Sequence, residues 1–191
     1  MTNIAIFASG SGTNAEAIMD HFSDSSCGRV ALLLSNRADA YALKRAERFG
    51  VPAAVFSREE FCDPDGKVAE LLREHHIDFI VLAGFLWLVP NHLTDSYAGR
   101  IVNIHPALLP KFGGRGMYGV NVHRAVIDSG EAESGITIHL VNEKYDSGDI
   151  LFQATVPVAP DDTPDSLAAK IHVLEHRHFP LIIERTIQNL R

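Results

Sequence analysis

At 191 residues, with 46% hydrophobic and 21% charged side chains, the chain has an ordinary globular composition and enough apolar material for the core of a single domain over 1–191. A formal net charge of −7, with no basic block anywhere, argues against electrostatically driven binding to nucleic acid or an anionic membrane. No apolar run approaches the ~18 residues of a membrane span and no basic, apolar leader precedes the first strand, so the expected location is the cytoplasm.

Apolar runs of strand length recur at Asn3 to Ala8, Arg29 to Leu34, Ala53 to Phe56, Asp78 to Ala83 and Arg100 to Ile104, with helical apolar spacing between most of them. That alternation predicts a mostly parallel α/β sheet. Asn14 to Phe22, Ala38 to Phe49 and Asp65 to His75 read as helices, the second closed by Gly50 and Pro52. "KFGGRGMYG" then packs four glycines into nine residues, a mobile or tightly turned loop ahead of a short helix over Val120 to Ile127. "GITIHLV" alternates polar and apolar residues and "ILFQATVPV" follows a turn, which predicts an antiparallel edge. A last helix starts near Pro164, capped by Thr163 or Asp162.

Four stretches carry chemistry. In "FASGSGTNAEAI" a strand ends, Gly10 and Gly12 turn the chain, and a helix begins near Asn14. Free backbone N–H groups and the positive end of the helix dipole make this an anion cradle, which Thr13 and Asn14 can supplement as donors. Gly10, Gly12 and Ala15 also fit the G-x-G-x-x-A dinucleotide fingerprint, but the acidic ribose-binding residue is missing and Arg37 stands near its place. The plain alternative is a structural turn.

In "IVNIHPALLP", Asn103 and His105 are two apart in an extended segment and share a face. Pro106 ends the strand, so both sit at its C-terminal edge, where open α/β sheets place ligands. A pair of satisfied polar groups is the simpler account. In "EKYDSGDIL" the turn Asp146 to Asp149 is rich in carboxylate; one of these within reach of His105 would favour the imidazolium and raise the histidine toward working pH. His172 and His176 have helical metal-pair spacing without the Glu and third ligand of a zinc site, so no metal is expected. Glu175 is either a solvated charge or the anchor of a substrate amine. Cys27 and Cys62 have no paired spacing and read as reduced thiols.

Together "IAIFASGSGTNAEAI", "VFSREEF", "VLAGFLWLVP", "AGRIVNIHPALLPKF", "GITIHLVNEKYDSGDIL" and "LEHRHFP" resemble the formyltetrahydrofolate-dependent formyltransferases, over nearly the whole chain. The joint N-I-H-P, L-L-P and D-x-G elements mark the family; the G-S-G-T-N loop and Glu175 resemble its single-domain branch in purine synthesis. The resemblance implies a Rossmann-like fold, and transfer of a formyl group from 10-formyltetrahydrofolate to the amine of glycinamide ribonucleotide by a monomer or homodimer. It implies that Gly12, Thr13 and Asn14 hold the substrate phosphate and Glu175 its amine. Arg58 would meet the folate. Leu86, Trp87, Leu88 and Val89 would line the pterin pocket, closed by the turn from Asn142 to Asp146. Asn103, His105 and Asp146 would be catalytic.

Three stretches depart from the family pattern: the long glycine-rich loop, Trp87, and "DSGD", which is nearer the turn of methionyl-tRNA formyltransferases. That relative should carry a further basic domain, and a formyltetrahydrofolate hydrolase an extra N-terminal one. From another class, an NADP-binding oxidoreductase would use Arg37 for the 2′-phosphate, and would leave the Asn-x-His pair without a task.

Overall fold

The computed structural model describes residues 1–190. Its centre is one seven-stranded sheet, in the order β3-β2-β1-β4-β5-β6-β7. The strands are β1 (Thr2–Phe7), β2 (Gly28–Ser35), β3 (Ala53–Val55), β4 (Phe79–Leu82), β5 (Ile101–His105), β6 (Glu133–Leu140) and β7 (Ile150–Pro157). The first five run parallel, and β6 and β7 add the expected antiparallel edge. The helices are α1 (Thr13–Phe22), α2 (Tyr41–Arg48), α3 (Arg58–Cys62), α4 (Lys67–Glu74), α5 (Asn91–Ser96), α6 (Val120–Asp128) and α7 (Pro164–Asn189).

Period-two alternation splits the parallel strands between two cores. Ile4, Ile6, Phe79, Val81, Val102 and Ile104 face a layer that includes Ile18, Met19, Ile171 and Phe179. Ala5, Phe7, Ile80, Leu82 and Ile101 face the other, which includes Phe61, Val68, Leu72 and Leu93. The polar residues of β5, Asn103 and His105, fall on the second face, beyond Ile101, where that core gives way to a cavity.

The chain leaves β1 toward β2 and β3, then returns to lay β4 on the other side of β1. This reversal opens a crevice at the carboxyl ends of β1 and β4, the usual ligand position of an open α/β sheet. Ser9 N–H donates to Gly84 O at 3.1 Å across its floor.

Two short helices differ from the sequence expectation, because too few residues carry their periodicity. α3 is set by a capping box: Glu60 N–H donates to Ser57 Oγ at 3.2 Å, and Ser57 N–H to Glu60 Oε2 at 2.7 Å. α5 follows Pro90. α2 and α4 start at Tyr41 and Lys67, later than Ala38 and Asp65. α7 has the expected cap, with Ser166 N–H donating to Thr163 Oγ1 at 3.1 Å. Leu109–Pro110 is cis.

Gly12 has φ +73°, and a Cβ there would lie 2.6 Å from Cα of Ala42 at the start of α2. Both constraints demand glycine, so Gly12→Ala is expected to cost at least about 2 kcal/mol of stability, measurable by urea unfolding.

Candidate active site

At the crevice lies a cavity of about 680 Å³. The structure brings to it Gly12, Thr13 and Asn14 from the start of α1, Leu86 to Val89 from the loop after β4, Asn103 and His105 from β5, Asp146 from the β6–β7 turn, and Glu175 from α7. Arg58 and Asn142 are not on its wall. The Arg58 guanidinium lies 5.4 Å from the ring centre of Trp87, which is. Asn142 Oδ1 accepts from Lys144 N–H at 3.0 Å and Ser147 Oγ at 2.9 Å, bracing the turn from within.

The cradle is built as its sequence suggests. The first bond of α1 runs from Glu16 N–H to Gly12 O at 2.9 Å, leaving the amides before it for a ligand. The Asn14 side-chain amide donates one N–H to Glu175 Oε2 at 2.9 Å, which leaves its second N–H and its backbone amide. Glu175 occupies the row Leu167, Ile171, Phe179, Ile183, Ile187 of α7 and is buried with it. Burial pushes its carboxyl up, opposed by the Asn14 hydrogen bond and by His172. A buried carboxyl with one amide donor is a strong receptor for a cationic or amine ligand.

Asp146 lies between two imidazoles. Its Oδ2 is 3.5 Å from His105 Nδ1 and accepts from Gly114 N–H at 2.8 Å, while its Oδ1 is 3.6 Å from His139 Nε2. Burial would raise this carboxyl, but the nearby His139 and His105 and the Gly114 amide hold it below the usual range. His139 is a member of the site that sequence reasoning missed. It faces Asn103 in the β5–β6 register, and its Nε2 is 3.1 Å from Asn103 Nδ2. Its ring is fixed by Nδ1–H donating to Leu140 O at 2.7 Å. The sequence signal was the polar alternation of Thr137 and His139, which matches Asn103 and His105 once the strands pair.

His105 donates from Nε2 to Phe112 O at 2.8 Å and is 3% exposed. Its pKa is lowered, against the expectation of an elevated value. Desolvation outweighs the Asp146 charge and the Phe112 carbonyl, and the neighbouring His139 adds to the lowering. The segment beyond His105 is pinned by Thr137, whose hydroxyl donates to Ala107 O at 2.7 Å and accepts from Leu109 N–H at 2.9 Å.

Two further residues weighed in the sequence, Arg37 and His172, also line the cavity. Arg37 Nε and Nη2 donate to Asp39 at 3.0 and 2.7 Å in a bidentate pair, which occupies the fork a 2′-phosphate would need. The His172 and His176 rings stack 6.2 Å apart, and among the described residues no group of three ligating side chains could hold a metal. Among them, too, no helix is long and apolar enough to cross a membrane.

A helix N-terminus open to a cavity, a buried carboxyl and an Asn–His–Asp cluster on the same cavity of an open α/β sheet suit a group-transfer enzyme acting on small molecules. The family model for formyl transferase matches residues 2–183, and the chain belongs to that family, whose one-carbon donor is a formyl-folate. Among curated relatives, "Phosphoribosylglycinamide formyltransferase" of Haemophilus influenzae is 39% identical over 96% of this chain and 86% of its own length. "Phosphoribosylglycinamide formyltransferase, chloroplastic" of Arabidopsis thaliana is 43% identical over 94% of this chain. The chain spans 63% of that plant protein, and a chloroplastic relative means that the family fixes no single compartment. The crystal structure of glycinamide ribonucleotide transformylase 1 from Symbiobacterium toebii superposes with a TM-score of 0.90 at 37% identity, over 99% of this chain and 89% of that one.

Removing the Asp146 charge takes away the largest influence raising His105. Asp146→Asn is therefore expected to shift the His105 titration to still lower pH, leaving less imidazolium at pH 7. Following the His105 Cε1–H resonance by NMR in both proteins measures the sign directly.

Proposed function

We propose that this chain transfers the formyl group of 10-formyltetrahydrofolate to the primary amine of glycinamide ribonucleotide, and that it does so in the cytoplasm. The observation that carries the reading is the presence, on one cavity, of a phosphate cradle, a buried carboxyl bonded to it, and the Asn103–His105–Asp146 group. The names of the relatives support the same substrates. The ribose phosphate is held at the amides of Gly12, Thr13 and Asn14, and the amine end by Glu175. The folate lies on the ledge from Leu86 to Val89, backed by Phe7, Phe56, Phe61 and Phe85, with Arg58 reaching it from the face of Trp87.

The amine nitrogen attacks the formyl carbon, and the carbonyl electron pair moves onto oxygen. An Asn103 amide N–H stabilises the oxyanion; that amide carries two N–H groups, one of which faces His139. Because its pKa is depressed in the free protein, His105 begins as a proton acceptor. It takes the proton lost by the attacking nitrogen through water, and the resulting imidazolium sits between Asp146 and the Phe112 carbonyl, next to the oxyanion. Collapse breaks the bond to N10 of the folate, and the proton passes to that nitrogen. No covalent acyl-enzyme is needed.

Purified protein given both substrates is expected to yield formylated ribonucleotide and tetrahydrofolate. His105→Ala and Asp146→Asn should each reduce kcat at least about a hundredfold with an unchanged circular dichroism spectrum. Arg37→Ala should retain activity. Release of formate from the folate alone, with no formylated product, would instead establish a hydrolase.

A further inference from the structure

His123 is a cavity-lining imidazole that the mechanism above does not use. It projects from α6, is 3% exposed, and lines the cavity. Its Nδ1 is buried without a hydrogen-bond partner, and neither ring nitrogen bonds to another described residue. Of the two nitrogens only Nε2 is left open to the cavity. The ring is held neutral: burial first, then His172 and His105, push its pKa down to about 4. A neutral imidazole carries one N–H. On Nδ1 that proton would be a buried donor with no acceptor, a rare arrangement; on Nε2 it points at whatever fills the cavity. An apolar side chain would pack in this place without the cost of a buried, unpaired polar atom. The imidazole is thus unexplained by the fold and explained by a ligand.

The identity of the ligand follows from the neighbours. α6 packs against α7, which carries His172 and Glu175, and Glu175 in turn bonds Asn14 of the cradle. His123 therefore serves the side of the cavity that α7 walls, where the amine anchor and the cradle adjoin. An uncharged donor suits an uncharged oxygen there. Resting on the substrate reading above, we propose that His123 Nε2–H donates to an uncharged oxygen of the ribonucleotide substrate, on its sugar or its amide carbonyl. His123 is then a binding residue for the amine substrate alone, with no part in holding the folate.

The test is calorimetric titration of glycinamide ribonucleotide into the wild-type protein, His123→Leu and His123→Gln, without folate. His123→Leu is expected to bind about tenfold more weakly, and His123→Gln, which can offer an amide N–H at similar reach, to recover most of the loss. At pH 7.5 His123→Leu should melt no lower than wild type, since it removes an unpaired buried nitrogen; a packing role would make it melt lower. Ribose 5-phosphate as second probe divides the two acceptors: a parallel loss assigns the sugar, and a loss for the full ribonucleotide only assigns the carbonyl. Equal affinity of wild type and His123→Leu, or a lowered melting temperature with no rescue by glutamine, overturns the proposal. If wild type binds the ribonucleotide but forms no product with 10-formyltetrahydrofolate, formyl transfer falls while the affinity ratio still decides the role of His123. If wild type does not bind it, both fall.

Discussion

The side chain of Asp146 is 10% exposed, and a charge so placed persists only if its surroundings repay the lost hydration. Here a backbone amide from the glycine-rich loop donates to it, and two imidazoles from neighbouring strands stand within 3.6 Å, where either would pair with it on becoming protonated. One carboxylate therefore fixes the positions of β5, β6 and the loop that roofs the cavity. It does this from a strained place, with Asp146 itself at φ +50°. The turn can reach that place because Gly148 passes against β6: a Cβ there would lie 1.8 Å from Leu140 O. The D-S-G-D sequence is thus a condition for the buried charge as well as a turn.

Enclosure sets the electrostatics of two other groups on the cavity, His105 and Glu175. Excluding water depresses His105 and elevates Glu175, so each group is held away from the charge it would carry in water. A ligand reverses the balance. In the proposed reaction an amine at Glu175 would restore its carboxylate, and negative charge on a formyl oxygen would favour the His105 imidazolium. The protein arranges acceptors around His105 in advance, at Phe112 O and Asp146, so that little has to move when the charge arrives. This preorganisation is costly to the free protein and useful only with substrate present.

Much of this was legible in the chain, for reasons that can be stated residue by residue. The parallel strands announce themselves because both faces are covered, and the edge hairpin because one face is not. The Gly12 turn is legible because only glycine meets both its φ and its contact with α2. What escaped depends on tertiary partners. His139 gains meaning only from the antiparallel register that sets it opposite Asn103, and no local pattern specifies a register between strands that are distant in sequence. The direction of the His105 shift depends on how completely the loop covers it. Arg58 and Asn142 were carried over from family resemblance, and the structure sets one on the face of Trp87 and the other inside a turn. Glu175 is a different case. It stands four residues after Ile171 and four before Phe179, in the apolar row of α7, and that spacing alone could have removed the solvated reading.

The acidic balance of the chain and the anionic character of the proposed phosphorylated substrate are reconciled locally. Among the cations nearest the cradle, Arg37 is neutralised by Asp39. Arg45 is tied to Glu16 and donates to Ser11 O at 2.8 Å, supporting the cradle from behind. Arg115 and Lys144, also on the cavity wall, take part in no ion pair with a described residue. Attraction for an anion therefore comes from oriented amides at the start of α1 and from two side chains outside any ion pair, in a chain of net charge −7. Such a distribution favours a small anion that fits the cavity over a polyanion that must lie across the surface. In an acidic chain the shape of the crevice thus does the selecting that a basic patch would forgo.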